Sequence, residues 1–403
     1  MNSWLNFHLF SRTSDLKYFL SRIQDLDKGD TLNIGMMRDF FSSPEIIVPC
    51  AGIIDLLKES GRIVKINFNR NKLSKSGLEN PFTIEKNSYE LLSPMYKVWK
   101  YSNGAEVSQI VSAFVKYLDT KAECAKGVIE AFEWTTNEVM DNVLQHSQSG
   151  CGYVMCTVTQ NAHISFAVYD NGVGILRSFY GSGFRFKSPF DAITSAMKRG
   201  FTRDKKTNQG NGLWGMSQLI LNNRGILNII SSGAIVGYNS KAELFKRELS
   251  TVKIGDSHIP GTLVDFQFQC NNEVSLSEVF GGDYKEANLY VESLEDDQDR
   301  IHLVISDFSF GYTTRDSGER ARHYAINMAT QSNEKQQIIL DFKDINIISS
   351  SFADEFIAKL ICHYGLLKFN SIFRIINVKE VNVPIINRAI NQRITTEFSS
   401  HEE

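Results

Sequence analysis

The 403-residue chain lacks several features that would quickly assign it to a class. Its six cysteines, Cys50, Cys124, Cys151, Cys156, Cys270 and Cys362, show no CxxC or Cys/His ligand spacing, which argues against a zinc site or a disulfide framework. They read as reduced, partly buried thiols. No segment reaches the roughly eighteen uninterrupted apolar residues of a membrane span. The start, MNSWLNFHLFSRTSD, has no charged opening followed by a long apolar run. These absences predict a cytoplasmic protein with no membrane partner. Charge is nearly balanced, with a net of -3 and no block of Lys and Arg, so no nucleic-acid partner is expected. A chain of this length exceeds one ordinary core and calls for two or three domains.

The most informative segment is NEVMDNVLQH, residues 137–146. Glu138, Asn142 and His146 recur there every four residues, which on a helix stacks them on one face. A carboxylate and a carboxamide one turn apart, among Val139, Met140, Val143 and Leu144, suit nucleophile activation and ion holding better than packing. Downstream, YDNGVGIL sets Asp170, Gly172 and Gly174 directly after a strand pattern. TNQGNGLWGM then puts Gly210 and Gly212 before an apolar helical run, and amides at a helix start cradle phosphate well. The span between, 175–209, is rich in Gly, Ser, Phe and basic residues and suits a lid, from which Lys205 and Lys206 approach a phosphate. Finally, IPGTLVDFQF sets Gly261 and Thr262 at the entrance to a strand.

Taken singly these pieces are unspecific, since DxGxG alone is more often a turn and His146 alone suits a helix C-terminus. In this order, over roughly residues 105–270, the chain resembles the GHKL ATPase superfamily, which includes histidine kinases, anti-sigma-factor serine kinases, type II topoisomerases, mismatch-repair ATPases and heat-shock chaperone ATPases. The resemblance implies a Bergerat-type α/β sandwich that binds ATP with Mg2+. It implies that Glu138 polarises the attacking water or acceptor hydroxyl and that the Asn142 oxygen ligates magnesium. Asp170 would accept from the adenine amine and Thr262 would help seat the base. Gly172 and Gly174 would admit the nucleotide closely, Gly210 and Gly212 would give amides to phosphates, and His146 would complete the binding set. Two positions depart from the pattern: Gln145 stands where many histidine kinases have Lys, and Trp214 stands where a further glycine is common.

Around this region the sequence predicts an α/β protein with small α/β modules on both sides. Residues 1–100 read as an N-terminal module, with strands at 31–36 and 63–68 around a helix near 50–58, in which Pro49 is an early residue and Gly61 a terminator. Its shape resembles a degenerate STAS-like domain. The ATPase region, 101–270, is expected to follow helical patterns at 90–118 and 126–145, with strands at 153–159, 163–169, 226–230 and 263–268. An acidic linker is expected over 271–299, where ESLEDDQD lies. Residues 300–403 alternate strands at 302–306, 337–342 and 372–377 with helices at 316–330, 352–363 and 379–392. There QQIILDFKDINIISSSFADEFIAKL resembles the STAS-like domain found beside bacterial GHKL modules. In anti-sigma-factor antagonists the phosphoacceptor Ser lies in the corresponding turn, and Ser350 is the best match, although Ser349–Ser351 equally suit a helix cap and no Asp precedes them.

His8 is the only histidine before His146, which disfavours autophosphorylation of a histidine ahead of the ATPase region. The expected function is a cytoplasmic ATP-binding regulator that hydrolyses ATP or uses it to switch docking of STAS-like modules. The alternatives are a serine kinase acting on a STAS-domain serine and an ATP-sensing scaffold without turnover. Partners are expected to be STAS-domain or sigma-factor-like regulators, or a second copy of the chain.

Overall fold

The structure is a computed structural model that describes residues 2–7, 16, 18–21, 31–36, 43–61, 63–68, 75–159, 162–201, 212–248, 261–281, 294–308, 311–332 and 334–399. The chain divides into two units: 1–114, 131–269 and 278–281 form the first, and 115–130, 270–277 and 282–403 the second.

The first unit opens with a parallel sheet of β1 (Asn2–Phe7), β2 (Thr31–Met36) and β3 (Ile63–Phe68), in that order. Helix α1 (Pro44–Glu59) connects β2 to β3, so the βαβ pattern of the sequence is present. The helix starts earlier than expected: Pro44 holds the first helical position, where a missing N–H costs nothing, and Pro49 lies inside the helix.

The main sheet has the order β4-β5-β6-β10-β7-β8-β9 and is antiparallel throughout. Its strands are β4 (Trp99–Tyr101), β5 (Gly152–Val158), β6 (His163–Asp170), β7 (Ile226–Ser231), β8 (Ala234–Tyr238), β9 (Leu244–Glu248) and β10 (Thr262–Gln269). Three of these escape the sequence reading. Residues 99–101, expected to be helical, form β4 because Trp99 and Tyr101 bury themselves as an edge strand against β5, and α2 (Gly104–Lys121) starts only after them. β8 and β9 continue from β7 through a two-residue turn in which Ser232 (φ 52°) and Gly233 (φ 82°) both take left-handed backbone, the geometry of a tight hairpin.

Strand alternation divides the core between the two faces of this sheet. On one, Phe166 stacks on Phe266 with centroids 4.9 Å apart, and Phe114 of α2 and Phe132 of α3 (Val128–His146) meet Phe166 edge-on at 6.2 and 5.9 Å. On the other, Tyr153, Met155, Ala167, Tyr169 and Leu263 share a core with Ile46, Ile47, Cys50, Ile53 and Ile54 of α1. The N-terminal stretch is therefore not a separate module, because its helix completes the core of the main sheet. Further ties fix α1 there: Asp55 Oδ2 accepts from both Tyr153 Oη and Lys100 Nζ at 2.7 Å.

Gly52 makes the contact of α1 with the sheet possible. A Cβ at this position would lie 2.7 Å from the Tyr169 ring and 2.9 Å from that of Tyr153. In an exposed helix interior Gly→Ala stabilises by up to about 1 kcal/mol, but here overpacking opposes it at about 1–3 kcal/mol. Gly52→Ala is therefore expected to lower the urea midpoint, and an unchanged or higher midpoint would contradict this packing.

Further helices of the unit are α4 (Gly174–Ser178), α5 (Pro189–Ala196) and α6 (Gly212–Asn222), besides the short helical turns Ile84–Asn87 and Ser88–Leu92, and α7 (Leu276–Phe280) lies in the stretch read as linker. Among the described residues no helix is long and apolar enough to cross a membrane.

The second unit contains a parallel sheet of β11 (Ile301–Val304), β12 (Ile338–Asp341) and β13 (Phe373–Ile376), close to the expected strands. Its helices are α8 (Arg315–Gln331), α9 (350–364), α10 (Leu366–Ile372) and α11 (Val383–Ser399). Thr314 and Ser317 form a reciprocal capping box at the start of α8. Asp354–Ala358 widen α9 into a π-helical turn that carries a charge network. Glu355 is 3% exposed and pairs with Arg315 at 2.5 Å and Lys359 at 2.7 Å, while Arg393 clamps Asp354. Burial opposes ionisation of Glu355, but the Lys359 and Arg315 hydrogen bonds outweigh it and hold its carboxyl below the usual range.

Candidate functional site

The site is built where α3, the turn after β6 and the start of α6 meet within the first unit. Four-residue spacing on α3 lines up Trp134, Glu138, Asn142 and His146, of which His146 ends the helix and is half-buried. α6 approaches this face closely at its first residue. A Cβ on Gly212 would lie 2.5 Å from Glu138 Oε2 and 3.6 Å from Asn142 Nδ2, so glycine lets the start of the helix backbone pass close to the two polar side chains. Asn142 Nδ2 is buried and has no hydrogen-bond partner among the described residues. Burial, with a smaller push from the charge of Asp141, raises the Glu138 carboxyl above its ordinary range, as suits a base.

A second cluster forms around Asp170, which ends β6 at 4% exposure and pairs in register with Thr262 of β10. Its Oδ1 accepts from the Gly172 amide at 2.8 Å, and the Thr262 amide also donates to the carboxylate. Burial outweighs these two donors and pushes the carboxyl up to about 7. Gly261, at φ 78°, passes with its backbone against Asp170, a close approach no side chain would allow. Ser231 Oγ ties the cluster together: it accepts from the Ile175 amide at 2.9 Å, donates to Gly261 O at 3.2 Å and lies 3.2 Å from Thr262 Oγ1. Gly174 begins α4 beneath it, where a Cβ would lie 2.9 Å from that same Oγ.

The two clusters are connected through the end of α3. Ser147, the residue after His146, accepts from the Val173 amide at 2.9 Å, and Gly172 packs against the same carbonyl. Glu138, Asn142 and Gly212 are thus brought together, as are Asp170, Gly172, Gly174 and Thr262. Lys205, Lys206 and Gly210 lie outside the described residues. Sequence reasoning missed Ser147, Ser231 and Trp134. Trp134 was legible as one more step of the four-residue spacing, whereas Ser231 becomes visible only when β7 pairs with β10.

Ser350 lies in the second unit, exposed at the first turn of α9. Ser349 is the cap, its Oγ accepting from the Phe352 amide at 3.0 Å, and Ser351 Oγ lies 3.0 Å from Ser349 Oγ.

The fold is a mixed α/β architecture in which an antiparallel sheet unit with a glycine-bounded polar site is joined to a small STAS-like unit. Residues 325–383 match the family described as STAS-like domain of unknown function (DUF4325). No curated protein matches the chain. Among solved structures it is similar to the histidine kinase domain from the Erythrobacter litoralis EL346 blue-light activated histidine kinase, at 17% identity and a TM-score of 0.20, over 41% of this chain. The match spans 64% of that chain, less than two thirds of its length.

Proposed function

We propose that the first unit binds ATP with Mg2+ in a GHKL-type pocket and that nucleotide state regulates the docking of STAS-like units. The observation that carries this reading is the meeting of Glu138, the Asn142 amide, unpaired among the described residues, and the Gly212 helix start, joined through Ser147 to the turn that follows the buried Asp170. An acceptor for an amine, helix-start amides for an anion, a carboxamide oxygen for a hard cation and a base with a raised pKa make the donor set a magnesium nucleotide requires.

Asn142 fits the metal. Turning its amide exchanges oxygen and nitrogen and presents Oδ1, while Mg2+ retains most of its ligands as water and phosphate. When bound with the nucleotide, the ion neutralises phosphate charge. Glu138 takes the proton of the attacking water or hydroxyl, the Gly212 amides bind phosphate oxygens, and Asp170 accepts from the adenine amine beside Thr262. His146, Gly172 and Gly174 complete the pocket, and Gly210, Lys205 and Lys206 belong to its phosphate side.

One observation favours a second reading, in which the phosphoryl group goes to serine. Ser350 is exposed between two serines that bond to the backbone or to one another, so its hydroxyl is the accessible one. The same experiment tests both readings: the purified chain is incubated with γ-labelled ATP and magnesium. Regulation by hydrolysis expects label as free phosphate; the kinase reading expects label on protein, lost in Ser350→Ala. Bound nucleotide with label in neither place leaves a sensing scaffold, and absence of binding refutes the pocket. Partners fitting this reading are STAS-domain or sigma-factor-like regulators, or a second copy of the chain, in the cytoplasm.

A further inference from the structure

We propose that Cys124 and Cys270 form a redox-sensitive modification site in the second unit, closing to a disulfide when the chain meets a peroxide. The site is independent of the nucleotide reading. Both residues are buried, Cys124 at 7% exposure and Cys270 at 0%. Their backbones are adjacent, because the Ala125 amide donates to Cys270 O at 2.7 Å. A hydrogen bond from the residue after one cysteine to the carbonyl of the other keeps the two Cα atoms within about 6 Å, inside the span of a disulfide. The side chains meet across that gap, where the Cys124 thiol donates a hydrogen bond to the Cys270 sulfur.

The surrounding residues hold this arrangement in place. Asn327 of α8 engages its whole carboxamide on the segment: Oδ1 accepts from the Cys124 amide at 3.0 Å, and Nδ2 donates to Asp119 O and Ala122 O at 2.9 Å each. Just beyond Ala125, the Val274 amide donates to Lys126 O at 2.9 Å. Gly127, at φ 77°, lets the chain run so close that a Cβ there would lie 1.8 Å from Val274 O. With both backbones fixed, closing the pair asks for rotation about side-chain bonds. Two sulfurs are too few for a zinc site, and among the described residues no group of three or more Cys, His, Asp or Glu side chains is placed to hold a metal.

The two thiols differ in a way that assigns their roles. Their mutual hydrogen bond is the largest influence on both. It holds Cys270 below the ordinary thiol range against the opposing effect of burial, and it pushes Cys124 well above that range, where burial and the charges of Asp119 and Glu130 add to it. Cys270 is therefore the thiolate, the form that reacts with peroxide. Its sulfur attacks one peroxide oxygen, the O–O bond breaks, hydroxide leaves and a sulfenic acid remains. The Cys124 sulfur then displaces that hydroxyl, its own proton departing with it as water. Two electrons pass from the sulfur pair to the peroxide, and a reducing dithiol reverses the step. The bond ties the approach to α3 to the exit from β10, since α3 begins at Val128 and β10 ends at Gln269.

The test exposes the reduced full chain to increasing hydrogen peroxide, alkylates the remaining thiols after denaturation and maps the peptides by mass spectrometry. Cys124 and Cys270 are expected as one linked peptide pair, lighter by two hydrogens, which separates into two alkylated peptides when dithiothreitol precedes alkylation. The oxidised chain is expected to melt several degrees higher than the reduced chain, because the bond closes a long loop, and Cys270→Ser should abolish the shift. In Cys124→Ser, which lacks the resolving sulfur, dimedone should trap the sulfenic acid on Cys270. The mapping uses the wild-type chain, so it decides the matter even where a variant does not fold. The proposal is overturned if both cysteines are still alkylated at peroxide levels that oxidise the partly buried Cys151 and Cys362, or if Cys270 is linked to a different cysteine.

Discussion

Glu138→Gln is expected to release phosphate from Mg-ATP about 10²–10⁴-fold more slowly than the wild type, the usual contribution of a positioned general base. Affinity for the nucleotide should stay within about threefold, because Gln keeps the shape that faces Gly212 and removes only the ability to take a proton. The raised pKa of Glu138 has burial as its main cause and Asp141 as its second. Asp141→Asn should therefore lower that pKa and move the acid limb of the rate profile to lower pH. The check is a phosphate-release assay run alongside equilibrium binding. Equal rates for Glu138→Gln and the wild type would remove Glu138 from the chemistry; loss of binding and rate together would give it a structural role instead.

The second large effect concerns Asp170, whose carboxyl is pushed up to about 7 from an ordinary value of 3.8. An acid whose folded pKa is raised holds a proton in the folded state at a pH where the unfolded chain has lost it. Stability therefore declines as pH rises from about 4 to about 7, by up to about 4 kcal/mol, and stays lower above that window. Asp170→Asn keeps an oxygen to accept from the Gly172 amide and loses the ionisation. The unliganded variant is thus expected to match the wild type near pH 4 and to melt several degrees higher at pH 8. Under the nucleotide reading it should also lose ATP affinity, and wild-type affinity should rise as pH increases through 7. Paired thermal melts at the two pH values decide the matter: a variant less stable than the wild type at pH 8 would show that the buried carboxylate is satisfied by its surroundings.

These two residues show what the sequence makes visible. The strands at 153–159, 163–169 and 263–268 lie within a residue or two of the short apolar runs that mark them, because a strand covered on both faces reads as a nearly continuous apolar run bounded by turn residues. The parallel strands of the second unit were equally legible. Short edge strands were not: Trp99–Tyr101 is three residues long and owes its conformation to β5, and Leu244–Glu248 is largely exposed and polar. The site motif was legible where local geometry suffices, as in the four-residue stack of α3. Contacts that depend on distant elements, such as Ser231 with Gly261 or Gly212 with Glu138, have no local signature and appear only once the sheet is assembled.

Helix α1 has one more consequence, for the order of events during synthesis. Its apolar residues Ile46, Ile47, Ile53 and Ile54 are translated long before Tyr153, Tyr169 and Leu263, the strand residues that will cover them. A nascent chain released from the ribosome only as far as α2 holds the small parallel sheet but none of the long strands of the main sheet, so the face of α1 that those strands cover is still bare, at a stage when contacts so remote in sequence cannot yet form. Helix α1 is thus among the last elements of its unit to reach its final surroundings, and it is the part with most to gain from a chaperone.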